Sequence, residues 1–406
     1  MTERTHIGIF GKRNAGKSSI INMLTNQEVS IVSATPGTTT DPVSKPIEIN
    51  GIGACVFIDT AGYDDVGEIG AMRVTKTKQV LQRCDISIFV IPSTIIGDKI
   101  EMNRATEWYR LISERTDKCI VVINNFESDT DTKKEKQNIE ELKTEVKRAL
   151  LHNDDKNDIV VVNALKNQGR EELLKALGHI KDRVTEKKIV THLVKQGDVV
   201  LLVMPQDIQA PAGRLILPQV QTIRELLDGR CIVVSCTTAD FKATLKALNT
   251  PPSLIVTDSQ AFKEVYENKP AESRLTSFSV LFAGWKGDIN TFIEGANAIS
   301  KLNDNSKVLI AEACSHAPLA EDIGREKIPA LIHKNISEKI KIDIVSGNDW
   351  PENLSDYDLI IHCGACMISR QQVTNRIKDV EKSNKKITNY GVCIAYFNDI
   401  LNKIIW

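Results

Sequence analysis

The sequence predicts an α/β chain of three domains, the first of which is a P-loop fold built on a mostly parallel sheet. Short strands rich in β-branched residues alternate with amphipathic helices along the chain, a pattern typical of parallel sheets that helices cover on both faces. A glycine-rich phosphate-binding motif follows the first of these strands. The length of 406 residues exceeds what a single hydrophobic core supports, which indicates several domains.

The first predicted domain comprises residues 1–185, followed by a second at 189–274 and a third at 275–406. In the first, strands are predicted at residues 6–10, 54–59, 86–91, 119–124 and 159–163, and helices at 18–24, 106–115 and 133–151. In the second, strands are predicted at 199–204, 231–234 and 253–257, and helices at 219–227 and 238–248. In the third, strands are predicted at 308–311, 342–345, 359–361 and 392–396. No sequence repeat links the three blocks.

The composition is that of a soluble globular protein whose charges are nearly balanced. Lysine and arginine number 52 and aspartate and glutamate 53, for a formal net charge of −1. This balance argues against a broad electrostatic grip on nucleic acid or on an anionic membrane. No apolar run in the sequence reaches the roughly 18–20 residues that a membrane-spanning helix needs. We therefore expect a cytoplasmic protein with neither a nucleic-acid nor a membrane partner.

The motif Gly11-Lys-Arg-Asn-Ala-Gly-Lys17-Ser18 stands between a predicted strand and a predicted helix, the context that a P-loop requires. Its glycines let backbone N–H groups turn toward a β-phosphate, and the helix N-terminus favours the anion. Lys17 is predicted to reach the β- and γ-phosphates and Ser18 to bind Mg²⁺. The predicted nucleotide contacts in this loop are Gly11, Asn14, Ala15, Gly16, Lys17, Ser18 and Ser19.

Two later segments complete a site for nucleotide hydrolysis. Asp59-Thr-Ala-Gly62 ends a strand, so Asp59 is expected to hold Mg²⁺ through water and the Gly62 N–H to meet the γ-phosphate. Residues 36–41, Pro-Gly-Thr-Thr-Thr-Asp, supply hydroxyl groups. Together these motifs resemble the GTPases of the tRNA-modification and ribosome-assembly kind, and by that match Thr39 binds Mg²⁺. The predicted catalytic residues are Lys17, Thr39 and Gly62.

Two residues indicate how hydrolysis proceeds. Tyr63 stands where Ras-like enzymes carry the glutamine that orients water. Asn14 occupies the P-loop position that binds K⁺ in relatives that hydrolyse GTP without an arginine finger. A cation there would supply the positive charge that an arginine otherwise brings to the transition state. The prediction is slow, K⁺-stimulated hydrolysis; the alternative is that Asn14 only forms hydrogen bonds within the loop.

The base-recognition motif departs from its usual form. GTPases of this kind read Asn-Lys-x-Asp after the fourth core strand, whereas this chain reads Asn124-Asn-Phe-Glu127. Asn124 keeps an amide for the base, while Glu127 places its carboxylate one methylene farther out. The loop Asn163-Ala164-Leu165 is expected to cap the base, with the Ala164 N–H meeting O6. GTP is the predicted nucleotide, with weaker selectivity or affinity than usual.

Cysteine and histidine cluster twice in the third domain, as Cys314-Ser-His316 and as His362-Cys363-Gly-Ala-Cys366. Both clusters follow predicted strands, which puts them at the carboxyl edge of a sheet, where open α/β folds build their sites. Three thiols and nearby imidazoles would bind a 4Fe–4S cluster or Zn²⁺. The candidates for a fourth ligand are His362, His316 and Glu321. The cysteines predicted to be small buried hydrophobic residues are Cys55, Cys84, Cys119, Cys231 and Cys393.

This combination resembles HydF, the family of iron–iron hydrogenase maturation GTPases. The likeness extends beyond the two motifs, to residues 205–207, 210–220, 257–260, 275–279 and 286–288. It implies a GTPase domain, a dimerisation domain and a cluster domain, with Cys314, Cys363 and Cys366 as the ligands of a 4Fe–4S cluster. It also implies a homodimeric scaffold and carrier that works with radical-SAM maturases, delivers a two-iron precursor to the apo-hydrogenase and uses GTP hydrolysis as a switch.

Two other functions fit parts of the sequence. An RNA-linked GTPase of the tRNA-modification or ribosome-assembly class would carry the same nucleotide motifs, although the near-zero net charge and the lack of a recognisable RNA-binding module count against it. A GTPase with a purely structural zinc site would carry the same cysteines and histidines. The colour and metal content of the protein after anaerobic reconstitution would separate these readings.

Overall fold

The computed structural model describes residues 4–25, 43–49, 53–64, 67–116, 118–126, 132–150, 157–182, 187–204, 215–313, 322–347, 349–351, 353–365 and 368–406. The chain divides into two compact units, Met1–Thr185 and Glu186–Trp406. Within the described ranges, no helix combines the length and the hydropathy that a membrane crossing needs.

The first unit is built on a six-stranded sheet with the order β2-β3-β1-β4-β5-β6. All neighbouring strands run parallel except β2, which is antiparallel to β3 at the sheet edge. The strands are β1 (Thr5–Gly11), β2 (Val43–Ile49), β3 (Gly53–Asp59), β4 (Ile86–Pro92), β5 (Cys119–Asn124) and β6 (Ile159–Val162). The helices are α1 (Lys17–Thr25), α2 (Gly67–Arg83), α3 (Lys99–Arg115), α4 (Thr132–Leu150) and α5 (Arg170–Asp182).

The central strands of this sheet are buried on both faces. Every residue of β4 and β5 is buried, as expected of runs of isoleucine, valine and phenylalanine between two layers of helices. One hydrophobic cluster joins the sheet to α1 and α5, and a second joins it to α2, α3 and α4. The carboxyl ends of β3, β1, β4 and β5 thereby lie in this order along one edge of the sheet, which positions the nucleotide motifs.

The second unit contains two four-stranded parallel sheets with the same strand order. In each sheet the first strand lies between the second and the third, and the fourth pairs with the third, giving β10-β9-β7-β8 and β12-β11-β13-β14. The strands are β7 (Val199–Val203), β8 (Ile232–Cys236), β9 (Leu254–Thr257), β10 (Arg274–Ser277), β11 (Lys307–Glu312), β12 (Lys341–Ser346), β13 (Leu359–His362) and β14 (Lys386–Asn389). The helices are α6 (Leu217–Asp228), α7 (Phe241–Ala247), α8 (Phe262–Asn268), α9 (Phe278–Lys286), α10 (Ile289–Asn297), α11 (Ile328–Asn335), α12 (Arg370–Lys382) and α13 (Tyr390–Phe397).

A single hydrophobic cluster links the two sheets of the second unit. It contains Leu201 and Ile255 from the first sheet and Leu309 and Ile360 from the second. The boundary predicted between residues 274 and 275 falls inside β10, which pairs in parallel with β9. Since β10 belongs to the first sheet of this unit, we place the boundary between the two sheets after α9 instead.

One predicted strand was wrong. Residues 392–396 lie in helix α13, and the strand at this place in the sheet is β14. The Asn389 side chain accepts hydrogen bonds from the N–H groups of Gly391 and Val392 and so starts a helix. An apolar run this short does not reveal its own period, because a helix buried on most sides is as apolar as a buried strand. The strands β2, β10 and β14 and the helices α2, α5 and α8 to α12 were not predicted.

Candidate functional site

The phosphate-binding loop joins β1 to α1, as predicted. Lys17 is 8% exposed, and its Nζ donates to the carbonyl oxygens of Gly11 (3.1 Å) and Lys12 (2.8 Å). The ammonium group therefore lies against the phosphate-binding loop, where it is expected to contact a bound phosphate. Gly16 has a φ of 89°, and a Cβ at this position would collide with the side-chain amide of Asn124. Both facts require glycine here.

The remaining predicted residues of the loop lie at its rim and its base. Asn14 is exposed and adopts a φ of 59°, a left-handed conformation that asparagine tolerates better than most residues. Ala15 is fully buried, and Ser19 is half-buried on α1. The exposed position of Asn14 leaves its side chain accessible to a cation and a phosphate, and its predicted role in K⁺ binding stays a prediction.

The two residues predicted to hold Mg²⁺ lie together, Ser18 in the first turn of α1 and Asp59 at the end of β3. The hydroxyl of Ser18 donates to Oδ2 of Asp59 over 2.6 Å. The second carboxylate oxygen, Oδ1 of Asp59, is buried and has no hydrogen-bond partner among the described residues. A hydroxyl beside a carboxylate with a free oxygen is a donor set that suits this hard cation. These two side chains fit Mg²⁺; the roles of Ser18 as a direct ligand and of Asp59 as a ligand through water stay predictions.

The segment after β3 packs against the phosphate-binding loop. Asp64 accepts a hydrogen bond from the backbone N–H of Arg13 over 2.6 Å. Gly62 approaches the same N–H so closely that a Cβ there would collide with it. Gly62 therefore lies beside the phosphate-binding loop, and its contact with a γ-phosphate stays a prediction. In this structure the carboxylate of Asp64 accepts the N–H of Arg13.

Tyr63 is turned into the protein. Its ring stacks on Trp108 of α3 at 5.6 Å and on Phe89 of β4 at 6.3 Å between centroids. Burial, reinforced by the carboxylates of Asp64 and Glu101, raises the pKa of the Tyr63 hydroxyl well above its ordinary value. A neutral, stacked phenol is a poor base for the attacking water. The glutamine of Ras-like enzymes therefore has no functional equivalent at this position.

Asn124 ties two loops of the nucleotide site together. It is 1% exposed, and its Nδ2 donates to the Ala15 carbonyl over 3.0 Å. Its Oδ1 accepts from the Ala164 N–H over 3.2 Å, which is the N–H predicted to meet guanine O6. Asn163 is buried beside it, whereas Leu165 is 75% exposed. Asn124 thus acts first as a crosslink between the phosphate-binding loop and the base-capping loop.

Part of the predicted site cannot be placed. The predicted site residues outside the described ranges are Thr39, Glu127, Cys314, His316, Glu321 and Cys366. Within the described ranges, no three histidine, cysteine, aspartate or glutamate side chains come together as a metal site.

Cys363 accepts two backbone hydrogen bonds that bear on the cysteine motif. Its Sγ lies 3.0 Å from the N atom of Ala313 and 3.4 Å from that of Ala365. Ala313 directly precedes Cys314 in the sequence, and Ala365 directly precedes Cys366. Hydrogen bonds from N–H groups favour the thiolate over the thiol, and the thiolate is the form that binds metal. The last described residue before each of the two other cysteines, Ala313 and Ala365, therefore lies within hydrogen-bonding distance of the Cys363 sulfur.

The cysteines predicted to be structural contrast with Cys363. All five are buried, as predicted: Cys55, Cys84, Cys119, Cys231 and Cys393. Burial raises the pKa of Cys393 to about 12, so that its thiol stays protonated and inert. Cys363, by contrast, is half-buried, follows β13 and accepts hydrogen bonds from two backbone N–H groups. Cys363 is the one cysteine of the motif within the described ranges, so the binding of an iron–sulfur cluster or of zinc stays a prediction.

His362 is engaged on both ring nitrogens. Its Nε2 lies 2.8 Å from Nη1 of Arg376, and its Nδ1 lies 2.8 Å from the carbonyl oxygen of Cys363. Arg376 also donates to the Gly347 carbonyl over 2.7 Å and stacks on Trp350 at 4.8 Å. Burial, together with the Arg376 guanidinium, lowers the pKa of His362 to about 3, so the imidazole is neutral.

Further polar residues hold this edge of the sheet and were not predicted. Lys286, 2% exposed, donates to the Ile368 carbonyl over 2.8 Å, just beyond the second cysteine of the motif. Glu312, 4% exposed at the end of β11, accepts from Arg325 over 2.9 Å and from Ser346 over 2.9 Å. Lys286 thereby restrains the main chain at Ile368, and Glu312 joins the end of β11 to Ser346 at the end of β12. Arg376 had a signal in the sequence, because it shares the helical face of Val373, Ile377 and Val380.

Comparison with protein-family models divides the chain at similar places. Residues 6–164 match the model of the 50S ribosome-binding GTPase, residues 189–287 that of the hydrogen maturase F dimerization domain, and residues 290–406 that of the hydrogen maturase F tetramerization domain. A GTPase domain implies GTP and Mg²⁺ as ligands and supports GTP hydrolysis. Domains of the two latter kinds support an oligomeric protein.

Curated relatives match only part of the chain. The tRNA modification GTPase MnmE of Moorella thermoacetica is 34% identical over 126 residues, which is 31% of this chain and 26% of that protein. The GTPase Der of Kosmotoga olearia is 33% identical over 183 residues, 44% of this chain and 39% of that protein. The chain therefore spans well under half the length of these relatives.

Among solved structures, Era from Aquifex aeolicus bound to GDP and aluminium fluoride is 22% identical, with a TM-score of 0.36 over 58% of this chain and 93% of that one. Toc33 from Arabidopsis thaliana is 16% identical, with a TM-score of 0.35 over 45% of this chain and 86% of that one. TM-scores this low do not bear on the function. The two hydrogen maturase F models, by contrast, cover residues 189–406 except for two positions and join a GTPase domain. The chain belongs to the HydF hydrogenase maturation GTPase family.

Proposed function

We propose that the chain is an iron–sulfur scaffold and carrier whose GTPase domain acts as a switch. The observation that carries this proposal is the pair of backbone hydrogen bonds on the Cys363 sulfur, donated by the residues that precede Cys314 and Cys366. Three thiolates brought to one sheet edge would hold a 4Fe–4S cluster through three of its irons. The fourth iron would then be open to a weaker ligand or to a second, two-iron cargo.

The nucleotide site supports a switch more than a fast hydrolase. Lys17, Ser18 and Asp59 have the geometry to bind a Mg²⁺–triphosphate. Tyr63 is stacked into the protein and does not replace a water-orienting glutamine. We propose slow hydrolysis that K⁺ stimulates through Asn14, because a cation held there would supply the positive charge that an arginine finger supplies in other GTPases.

The proposed biological role follows from family membership. The chain would form a homodimer or a higher oligomer, receive a two-iron precursor made with radical-SAM maturases and deliver it to the apo-hydrogenase. GTP binding and hydrolysis would change the affinity for these partners. A direct test is the transfer of the loaded cargo to the apo-hydrogenase, measured as hydrogenase activity with GTP and with a non-hydrolysable analogue.

Anaerobic reconstitution of the full chain with Fe²⁺ and sulfide tests the cluster assignment. We expect a brown protein that contains about four irons and four sulfides per chain and gives an EPR signal after reduction. Cys363→Ser should lose the cluster, while Cys236→Ser, a half-buried thiol of the other sheet, should keep it. A colourless protein that retains Zn²⁺ would overturn the scaffold and favour a structural zinc site.

A substitution in the nucleotide site tests whether this site and the cluster site are independent. Lys17→Ala should abolish GTP hydrolysis and leave the iron and sulfide content unchanged. Loss of the cluster in Lys17→Ala would mean that the two units do not fold and bind separately. Salt-sensitive binding of tRNA or rRNA by the wild-type chain would instead revive an RNA-linked GTPase.

A further inference from the structure

Arg376 lies on helix α12 and contacts the edge of the second sheet where β13 ends and Cys363 follows. Arg376 is 4% exposed, and among the described residues its guanidinium contacts His362 Nε2 at 2.8 Å, the Gly347 carbonyl at 2.7 Å and the Trp350 ring at 4.8 Å. A buried arginine with both a hydrogen-bonded and a stacked face is held in one orientation. It is therefore a fixed element of this edge.

The contact with Arg376 determines the tautomer of His362. Arginine has only N–H groups and cannot accept, so Nε2 of His362 must be the acceptor and carry no proton. The proton of the neutral ring then resides on Nδ1, from which it is donated to the Cys363 carbonyl over 2.8 Å. That carbonyl also lies 3.5 Å from Nδ2 of Asn389. Both nitrogens of His362 are consequently used within the protein.

His362 occupies a position that is also buried in the other sheet of the unit. His362 is the last residue of β13 and lies opposite Asn389 of β14. In the other sheet of the unit, which has the same strand order, Thr257 is the last residue of β9 and lies opposite Ser277 of β10. Thr257 is 0% exposed and His362 is 1% exposed. The equivalent residue is thus buried in a sheet that carries no cysteine motif.

We propose that Arg376 is a positioning residue of the cluster site, which acts by holding His362 as the Nδ1-protonated tautomer so that His362 fixes the main chain at Cys363 and does not bind iron. This inference rests on the proposed cluster, and it removes His362 from the candidates for the fourth ligand. Arg376 also places a fixed positive charge on the residue next to Cys363, and this charge would favour the reduced form of a cluster bound there.

The first test needs no cluster. Histidine labelled with ¹⁵N in the full-length apo-protein reports which ring nitrogen carries the proton, and His362→Gln identifies the signal. We expect the Nδ1–H form in the wild type at neutral pH, and a mixture of tautomers in Arg376→Met. An Nε2–H or doubly protonated ring in the wild type would overturn the inference. If the protein binds no cluster at all, the proposed function fails, and this measurement still decides the role of Arg376.

The second test uses the reconstituted protein with a reduced cluster. Pulsed EPR should give the same nitrogen couplings in the wild type and in His362→Gln, because His362 does not bind iron. A coupling from an iron-bound nitrogen that is present in the wild type and lost in His362→Gln would refute the inference. Arg376→Met should lower the reduction potential of the cluster, and Arg376→Lys should restore most of it, because the charge returns without the planar donor group. Lys382→Met, which removes an exposed charge from the same helix, is the matched control and should leave the potential unchanged. Equal potentials in wild type and Arg376→Met would contradict the charge effect.

Discussion

The crosslink formed by Asn124 leads to a prediction about the nucleotide-free protein. Asn124→Ala removes the hydrogen bonds to the Ala15 carbonyl and from the Ala164 N–H in a position that is 1% exposed. Neither partner has an obvious replacement, since Ala15 is 0% and Ala164 9% exposed. We expect the phosphate-binding loop and the base-capping loop to open more easily and independently of each other.

The magnitude follows from the two groups that lose their partner. Leaving one buried polar group unsatisfied costs about 1–3 kcal/mol. Two such groups, with partial relief from water that enters the space of the lost amide, give about 2–4 kcal/mol for the free energy of local opening. Since about 1.4 kcal/mol corresponds to a factor of ten, amide exchange in both loops should accelerate roughly 30- to 1,000-fold.

Hydrogen–deuterium exchange on the full chain without nucleotide measures this effect apart from any contact with the base. The control is Asn103→Ala, which removes an exposed asparagine amide from α3 and should leave both loops unchanged. Asn124→Asp should lose the bond to Ala15 but keep the one from Ala164, and so should affect the phosphate-binding loop more. Exchange rates within about threefold of the wild type in Asn124→Ala would refute the crosslink.

Three further predictions concern the metal, the cation and the cysteine loop. Ser18→Ala should lower Mg²⁺-dependent GTP hydrolysis about 100-fold or more, because the hydroxyl beside Asp59 is lost as a ligand, as measured by phosphate release across Mg²⁺ concentrations. Asn14→Ala should abolish the difference between hydrolysis rates in K⁺ and Na⁺ buffers; equal rates in the wild type would already contradict this role. Lys286→Met should speed amide exchange around residue 368 about tenfold through loss of a buried charged hydrogen bond, whereas the exposed Lys382→Met should not.

Much of the fold was predictable because the strongest local signals are also its central elements. The strands β4 and β5 are continuous apolar runs and lie in the middle of the first sheet, where burial on both faces demands such runs. The edge strand β2 was not predicted, since an antiparallel edge strand has a weaker pattern and here contains Pro46. Helix α13 was mistaken for a strand because its apolar residues are buried on most sides of the helix.

The sequence did not allow us to predict that the two sheets of the second unit share one strand order. Both sheets order their strands identically, although no sequence repeat is evident. A parallel sheet requires only apolar strands of the right spacing, which many sequences satisfy, so a common topology leaves little trace in residue identity. The functional groups after the strands differ entirely, with Asp258 after β9 and Cys363 after β13.

Asn124 and His362 show that a residue singled out by a motif also has partners within the protein. Both end a strand; Asn124 was predicted to hydrogen-bond the base, and His362 was one of three candidates for a fourth cluster ligand. In the structure each is almost fully buried and uses its polar atoms on the protein, Asn124 between Ala15 and Ala164 and His362 between Arg376 and the Cys363 carbonyl. Whether a polar atom remains free for a ligand depends on partners that lie far away in the sequence. Buried crosslinks of this kind fix the loops that carry Lys17 and Cys363, and preorganised loops lower the cost of binding a triphosphate or a cluster.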